Sequence, residues 1–370
     1  MTAQPKIAIV LGTRPEIIKM SPVIRECQRR SLDFQLIHTE QHQKYEMDRV
    51  FFEHLQLPAP LHRLGVGGGP HGRQTGLLLT RVEEVLEREH PDVVLVQGDT
   101  NSVLAGALAA AKLHISVGHV EAGLRSYDRR MPEELNRIVA DHLSDRLFAP
   151  TAKAGDILLA EGVDRKKVFV TGNTIVDAVG QNLQIARERC RALERNGLEP
   201  QKYILVTAHR AENVDHRERL QELVNAIDLV ARTVSMPLIY PLHPRTESKI
   251  KEFGLTIPKR IRIIPPQGFL DFLQLEAEAA LVLTDSGGIQ EEACILGVPC
   301  VTLRQNTERP ETLSVGANVL AGTDPSQVLA GVEEMLDRSR DWSNPLGDGH
   351  SGARIVDLLL DDGTPSGYVP

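Results

Sequence analysis

Aromatic side chains are scarce in this chain, and so is net positive charge. Phe, Trp and Tyr make up 4% of the 370 residues, and the formal net charge is −8 at pH 7. Proteins that bind single-stranded nucleic acid stack bases on aromatic rings, and proteins that bind duplexes or anionic membranes present a basic surface. The composition therefore argues against nucleic acid and membrane partners. An anionic ligand would have to be held by cations at one local site.

Long apolar runs and paired cysteines are also missing. No run approaches the roughly 20 apolar residues that span a bilayer, and the apolar stretch 7–11 is too short for a signal peptide. The cysteines Cys27, Cys190, Cys294 and Cys300 form no CxxC pair. A disulfide framework or a structural zinc site is therefore not expected, and we expect a cytoplasmic protein with reduced thiols.

What the chain does contain is a repeated alternation of apolar strands and amphipathic helices, which is typical of parallel α/β sheets. Predicted strands cover residues 6–11, 34–39, 92–97, 116–120 and 166–171, then 203–207, 237–241, 261–264, 280–284 and 299–303. Predicted helices cover residues 15–30, 73–90, 101–112, 132–142, 175–195 and 351–361. The predicted fold class is α/β, with two Rossmann-like doubly wound domains facing a central cleft.

Length also indicates two domains, because one core rarely serves so long a chain. We place an N-terminal domain at residues 1–173 and a C-terminal domain at 174–350. A C-terminal helix at 351–362 is expected to pack back on the N-terminal domain, and the tail 362–370 to fray. Ligands of such sheets bind beyond the carboxyl ends of the strands. The chemical residues should therefore cluster at those ends.

Acidic side chains follow consecutive predicted strands of the first half. Asp99 follows one strand, Glu121 follows the next, and Glu133 opens the helix after it. Like charges in a cleft raise one another's pKa, which suits groups that exchange protons. In the second half, His209 stands at a strand end beside Arg210, where the pair could contact a phosphate.

Two strand-to-helix turns have features of phosphate sites. The first strand ends in residues 12–16, GTRPE, where Arg14 and Lys19 add cations to a helix N-terminus that attracts anions. The spacing Gly67, Gly69, Gly72 matches the dinucleotide fingerprint, but Pro70 interrupts it and no convincing strand precedes it. We interpret that stretch as a loop.

The stronger phosphate signal is the segment 284–292, TDSGGIQEE. An apolar strand runs into Ser286, Gly287 and Gly288 and then into a helix, so backbone N–H groups could approach a phosphate. Glu292 lies about one turn into that helix, where a carboxylate could bind both ribose hydroxyls.

Taken in order, these segments resemble the non-hydrolysing UDP-N-acetylglucosamine 2-epimerases. The resemblance covers nearly the whole chain and includes residues 12–16 (GTRPE), 119–125 (HVEAGLR), 132–137 (PEELNR), 208–210 (AHR), 285–292 (DSGGIQEE) and 307–311 (TERPE). It implies the glycosyltransferase-B architecture of two Rossmann domains. It also implies interconversion of UDP-GlcNAc and UDP-ManNAc without a nicotinamide or a metal, so no cofactor is expected.

The resemblance assigns residues to roles. The implied catalytic set is Asp99, Glu121, Glu133 and His209. The implied UDP-sugar ligands are Arg14, Lys19, Ser286, Gly287, Gly288, Glu292 and Arg309, with Gln267 and Phe272 near the uracil. The resemblance further implies a homodimer.

The resemblance also implies, for several bacterial members, a second UDP-GlcNAc that activates the enzyme. Gln41, Arg73 and His243 resemble parts of that second site. Lys44 stands where those members carry Gln, and Cys294-Ile295 replaces their usual Pro-Ser.

The hypothetical reaction eliminates UDP to give 2-acetamidoglucal, then adds UDP back with inversion at C2. Asp99 and Glu133 would remove and deliver the proton, Glu121 would stabilise charge or position the sugar, and His209 would serve the leaving phosphate. Alternatives are a hydrolysing relative that releases free ManNAc, an epimerase for a modified UDP-amino sugar, a glycosyltransferase of the same architecture, and a non-catalytic UDP-sugar sensor. A sensor would not need the three acids.

Overall fold

The computed structural model of the chain describes residues 4–41 and 45–361. The expectations for Lys44 and for the tail 362–370 lie outside those residues. The chain divides into two compact units. Unit 1 comprises Met1–Gly180 and Leu346–Pro370, and unit 2 comprises Gln181–Pro345.

Unit 1 is built on a parallel sheet whose described strands follow the order β3-β2-β1-β4-β5-β6-β7. The strands are β1 (Ile7–Leu11), β2 (Phe34–His38), β3 (His62–Arg63), β4 (Val93–Gln97), β5 (Ser116–Val120), β6 (Arg146–Ala149) and β7 (Val168–Val170). The helices are α1 (Arg14–Arg29), α2 (Tyr45–His54), α3 (His71–Glu89), α4 (Asn101–Lys112), α5 (Pro132–Leu143) and α6 (Ala152–Ala160). The strand order reverses between β1 and β4, which makes that point the topological switch of a doubly wound sheet.

The centre of this sheet is apolar on both faces, as expected when helices cover both. Every residue of β1 and of β4 is buried. On α4, Gly106 lies against Val10 and Val96, so that an added Cβ would be only 3.0 Å from the Val96 side chain. Small side chains on α4 therefore bring the helix close to the switch point.

Unit 2 repeats the plan, with its described strands in the parallel order β10-β9-β8-β11-β12-β13. The strands are β8 (Ile204–Thr207), β9 (Leu238–Pro241), β10 (Ile261–Ile264), β11 (Leu281–Thr284), β12 (Cys300–Thr302) and β13 (Asn318–Leu320). The helices are α8 (Ala192–Arg195), α9 (Ala211–Val214), α10 (Arg217–Thr233), α11 (Pro244–Glu252), α12 (Phe269–Ala277), α13 (Gly287–Leu296), α14 (Pro310–Ser314) and α15 (Pro325–Asp337). The switch point lies between β8 and β11.

The division between the units differs from the boundary placed at residue 173. It falls between Gly180 and Gln181, inside helix α7 (Thr174–Arg189). The single helix predicted for 175–195 is also wrong, because α7 ends at Arg189. A separate helix, α8, begins at Ala192, whose backbone N–H donates to Gln274 Oε1 at 2.8 Å.

The final segment belongs to unit 1. Helix α16 (Ser351–Leu360) packs on α1, where Gly352 lies against the backbone of Pro22. Arg30, the residue directly after α1, pairs with Asp357 of α16 at 2.6 Å. The return to unit 1 begins at Leu346, a few residues before the predicted helix.

Two expectations from composition concern the whole chain. All four cysteines are free thiols, and Cys27, Cys294 and Cys300 are buried. None of the helices within 4–41 and 45–361 is long and apolar enough to cross a membrane.

Candidate active site

The carboxyl ends of β1, β4 and β5 lie side by side in unit 1, because neighbouring strands of the sheet are parallel. The loop after β1 begins at Gly12, the loop after β4 contains Asp99, and Glu121 follows β5 directly. An added Cβ at Gly12 would overlap the side chains of Ser102 and Thr39, so glycine is required there by close packing.

Glu16, in the first turn of α1, accepts hydrogen bonds from the backbone N–H groups of that loop. One carboxylate oxygen accepts the N–H groups of Gly12 and Thr13 at 2.6 Å each, and the other accepts the Thr100 hydroxyl at 2.6 Å. Burial raises the pKa of Glu16 to about 7, against the lowering effect of these hydrogen bonds. The amides that the sequence suggested for an anionic ligand are therefore paired with a carboxylate of the protein itself.

Glu121 is held by a cation from α1. Lys19 Nζ contacts its two carboxylate oxygens at 2.6 and 2.7 Å, and the Gln97 amide also donates to it. The backbone φ of Glu121 is +68°, in the left-handed region that non-glycine residues rarely adopt. Lys19 and Gln97 hold the carboxylate in place against this backbone strain, and Lys19 contacts an acid where the sequence suggested a diphosphate.

Asp99 is fixed by two consecutive residues of α5. Arg137 pairs with its carboxylate, and Asn136 Nδ2 donates to its backbone oxygen at 2.9 Å. Burial raises the pKa of Asp99; Arg137 opposes the rise and Glu121 adds to it. Glu133 lies three and four positions before these helix residues, so it shares their face of α5.

His119 supports the backbone that precedes Asp99. Its Nδ1 is 2.7 Å from a carboxylate oxygen of Asp141, and its Nε2 is 2.8 Å from the Gly98 carbonyl. Both partners accept hydrogen bonds, so the surroundings favour a proton on each ring nitrogen, which is the cationic form of the imidazole. Burial alone would lower the pKa of His119, but Asp141 and the carbonyl raise it. His119 is the first residue of the segment 119–125 (HVEAGLR), but no role was predicted for it from the sequence.

In unit 2 the loop after β8 is organised by Asp285, at the end of β11. Its buried carboxylate accepts the backbone N–H groups of His209 at 3.0 Å and Arg210 at 2.9 Å, and the side chain of Asn213 at 3.1 Å. The His209 ring lies 3.7 Å from the same carboxylate. This cross-strand link joins the two loops at the switch point, and no role for Asp285 was predicted from the sequence.

His209 stacks on His243, with ring centroids 5.0 Å apart. Burial lowers the pKa of both, so at neutral pH this pair is biased towards uncharged imidazole. His243 Nδ1 also caps α11 by accepting the N–H of Arg245 at 3.1 Å. His243 therefore lies in unit 2 against the ring of His209.

Gln41 and Arg73 lie in unit 1. The Gln41 side chain is buried and accepts the backbone N–H of Ser102 at 2.9 Å and its hydroxyl at 2.6 Å. Arg73 is exposed on α3. Gln41 therefore links its own segment to the start of helix α4 within unit 1.

The N-terminus of α13 is open, with one carboxylate and one cation beside it. An added Cβ at Gly287 would lie 3.6 Å from Glu308 Oε2 and 3.9 Å from Arg210 Nη2, both ordinary contact distances. At Gly288 the nearest atom would be Ser286 Oγ, at 3.9 Å. Packing within the protein therefore does not require glycine at either position. Close approach of a ligand to the backbone would explain why glycine stands there. A helix N-terminus beside Arg210 suits an anion.

The remaining predicted ligands have protein partners. Arg309 Nε pairs with Glu291 at 2.7 Å, and Gln267 donates to the Pro265 carbonyl at 2.6 Å. Phe272 is partly buried against the core cluster that contains Leu275. Within 4–41 and 45–361 no group of three or more His, Cys, Asp or Glu is arranged to hold a metal ion.

The arrangement of unit 1 places acids and cations together at a switch point, and that of unit 2 offers an anion site. A family model described as UDP-N-acetylglucosamine 2-epimerase matches residues 25–360. The chain belongs to the UDP-N-acetylglucosamine 2-epimerase family. The resemblance drawn from the sequence motifs is thereby confirmed.

Relatives within this epimerase family match over almost their full length. The UDP-N-acetylglucosamine 2-epimerase of Methanocaldococcus jannaschii is 54% identical over 96% of this chain and 98% of its own. A crystal structure of the M. jannaschii enzyme in complex with UDP-GlcNAc and UDP has a TM-score of 0.84, covering 96% of this chain and 99% of that chain. A calicheamicin glycosyltransferase, at 13% identity and a TM-score of 0.61, shares the fold alone. The predicted class of two Rossmann-like domains is confirmed.

Proposed function

We propose that this epimerase-family protein is an isomerase, a non-hydrolysing UDP-N-acetylglucosamine 2-epimerase that interconverts UDP-GlcNAc and UDP-ManNAc. The observation that carries the proposal is the pair of acids, Asp99 and Glu121, held by cations at the switch point of unit 1. A module that only binds a nucleotide sugar has no need of these acids. The M. jannaschii relative, crystallised with UDP-GlcNAc and UDP, supports the substrate class.

The reaction requires a proton to leave C2, which has no carbonyl beside it and is weakly acidic. Cleavage of the C1–O bond sends its electron pair to UDP and gives C1 oxocarbenium character, which acidifies C2–H. Loss of that proton leaves 2-acetamidoglucal and UDP. Re-addition of UDP at C1, with a proton delivered to the opposite face of C2, yields the epimer.

Asp99 and Glu133 are proposed to remove and deliver the proton. A base that must also act as an acid benefits from a pKa above that of an ordinary carboxyl, and burial moves Asp99 in that direction. Glu121, fixed by Lys19 and Gln97, is proposed to position the sugar or stabilise charge. The contacts of Asp99 and Glu121 in unit 1 and the family resemblance support these assignments.

The leaving diphosphate is proposed to bind at the N-terminus of α13. Ser286, Gly287 and Gly288 supply the helix N-terminus, Arg210 flanks it, and the backbone of His209 is bonded to Asp285 just before it. Positive charge placed where the leaving oxygen becomes negative lowers the barrier to C1–O cleavage. Unit 2 would thus bind the nucleotide on which the acids of unit 1 act.

Other assignments rest on the family resemblance. Proposed ligands of the UDP-sugar are Arg14, Lys19, Gln267, Phe272, Glu292 and Arg309, and a proposed second UDP-GlcNAc site includes Gln41, Arg73 and His243. The homodimer and the cytoplasmic location stay predictions.

Product analysis tests the proposal. Purified protein incubated with UDP-GlcNAc and followed by NMR should form UDP-ManNAc until a constant ratio is reached, from either epimer. Free ManNAc with UDP as the sole products would show a hydrolysing enzyme instead. Binding of UDP-GlcNAc without any turnover would contradict the proposal and favour a sensor.

A further inference from the structure

Glu276, near the end of α12, is a buried acid for which the proposed chemistry has no use. It has no exposed surface, and neither carboxyl oxygen has a hydrogen-bond donor among the residues that the structure describes. An ionised carboxylate in such a place is strongly destabilising. Burial without a donor therefore favours the protonated, neutral form of Glu276.

The polar neighbour of Glu276 is another acid, Glu292 of α13, which lies within hydrogen-bonding reach. Two ionised carboxylates offer only acceptor oxygens, so a hydrogen bond between them requires one proton. Burial, and then the charge of Glu292, raises the pKa of Glu276 well above its ordinary value. Glu292 retains 9% exposure and Glu276 none, so the shared proton belongs on Glu276.

Other titratable groups around Glu276 do not supply a counter-charge. The Cys300 thiol of β12 is fully buried beside it, and burial together with Glu276 raises the pKa of that thiol. Among the described residues, no lysine, arginine or histidine is one of the groups that shift the pKa of Glu276. A protonated Glu276 and a neutral Cys300 leave Glu292 as the single negative charge of this cluster.

Glu292 is the residue that the proposed function assigns to the ribose hydroxyls. It lies on the same helix whose N-terminus is proposed to hold the diphosphate. A carboxylate that accepts hydrogen bonds from two hydroxyls must stay ionised and keep its orientation. A neutral donor behind it meets both needs, because it fixes one oxygen without neutralising the charge.

We propose that Glu276 is a positioning residue for nucleotide binding: it carries a proton, donates it in a hydrogen bond to Glu292, and so aims the Glu292 carboxylate at the ribose. This inference rests on the proposed function, since it takes UDP as the ligand of unit 2. Substrate recognition would then explain why an acid is buried at this position.

A merely structural Glu276 would behave differently when replaced. Apolar replacement of a buried acid is often neutral or stabilising. Glu276→Leu should therefore leave the unfolding midpoint unchanged or raised, yet weaken UDP binding about tenfold, in line with the loss of a hydrogen bond to a charged group. Glu276→Gln keeps a donor and should bind UDP nearly as well as the wild type.

The experiment measures dissociation constants of UDP and 2′-deoxy-UDP by calorimetry for the wild type, Glu276→Gln and Glu276→Leu. The control is Glu278→Leu, which removes an acid from the same end of α12 that pairs with Arg187 at 3.4 Å. The preference for UDP over its deoxy form should shrink in Glu276→Leu only. From neutral to alkaline pH, the wild type should lose affinity relative to Glu276→Gln as Glu276 gives up its proton.

The outcomes separate two failures. If the wild type binds no UDP, the proposed function fails. If it binds UDP and prefers it over 2′-deoxy-UDP, but Glu276→Leu shows the same preference and the two pH profiles coincide, the inference about Glu276 is overturned and the proposed function stands.

Discussion

Asp99 is an acid whose surroundings push its proton affinity in opposite directions. Burial raises its pKa, and the guanidinium of Arg137 lowers it. The side chain is 34% exposed, so a substrate can still reach it. This combination suits a group that exchanges a proton with a substrate and returns to its starting state.

Replacing Asp99 with Asn should reduce kcat at least a hundredfold, because general acid or base groups are worth roughly 10²–10⁴-fold. The affinity for UDP-GlcNAc should change little, since the amide keeps the shape of the carboxylate. The control is Asp128→Asn, since Asp128 is similarly exposed at 36% and pairs with Arg130 at 2.8 Å. Steady-state kinetics with calorimetric binding give both numbers; parallel losses of rate and binding would remove Asp99 from the chemistry.

Glu16 makes the stability of unit 1 depend on pH. Its pKa is about 7 in the folded protein, against 4.5 for an ordinary glutamate. The folded state therefore binds this proton more tightly than the unfolded state does. The stabilisation is fully present below the unfolded pKa and is lost as the pH rises through the folded value.

Relative to Glu16→Gln, the free energy of unfolding of the wild type should fall by roughly 3 kcal/mol between these pH values, since one pKa unit is worth about 1.36 kcal/mol. Urea unfolding across the range measures it. Glu26, also in α1, is a control of opposite sign, because Arg29 and Arg30 lower its pKa to about 2. Its contribution should disappear as the pH falls, and a wild-type profile parallel to that of Glu16→Gln would refute the account of Glu16.

Helix α13 begins with two glycines that the surrounding protein does not require. An added methyl group at Gly287 would meet only ordinary contacts, and alanine favours a helix over glycine by about 0.5–1 kcal/mol. The glycine is explained if a phosphate occupies the space in front of the helix.

Gly287→Ala should therefore keep or slightly increase the melting temperature while weakening UDP binding at least tenfold. Gly76→Ala, in the exposed middle of α3 with open space around it, is the matched control and should leave binding unchanged. Calorimetric titration with UDP and thermal unfolding provide the measurements. Unaltered UDP affinity in Gly287→Ala would place the diphosphate elsewhere.

Most of the elements that carry these groups were predictable from the sequence. Strands such as 93–97 and 281–284 are continuous apolar runs that end in the acids and glycines of the site. Strands β3, β6 and β13 were missed, because two to four residues are too few to show a period. The break after Arg189 depends on Gln274, which is distant in sequence and has no local signal.

The same limit applies to the partners of the candidate site. Asp99 and Glu121 could be predicted because each follows an apolar strand. Arg137 on Asp99, Lys19 on Glu121 and the buried Glu276 could not be, since these contacts join residues far apart in sequence. Local patterns locate strand ends, and only the folded chain decides which charges meet there.

The molecule as a whole combines two units of one design with different chemistry at their switch points. Unit 1 gathers carboxylates and cations after β1, β4 and β5, and unit 2 presents an open helix N-terminus beside Arg210. We propose that proton exchange takes place in unit 1 and nucleotide binding in unit 2, so that epimerisation of a UDP-sugar would need both.

Incubation with UDP-GlcNAc in D₂O, with NMR of the sugar protons, tests this account most directly. Removal of the C2 proton and its replacement from solvent predicts deuterium at C2 in UDP-ManNAc and in the UDP-GlcNAc that remains, with exchange slowed at least a hundredfold in Asp99→Asn. Conversion to UDP-ManNAc with hydrogen retained at C2, or exchange that is unaffected by Asp99→Asn, would contradict it.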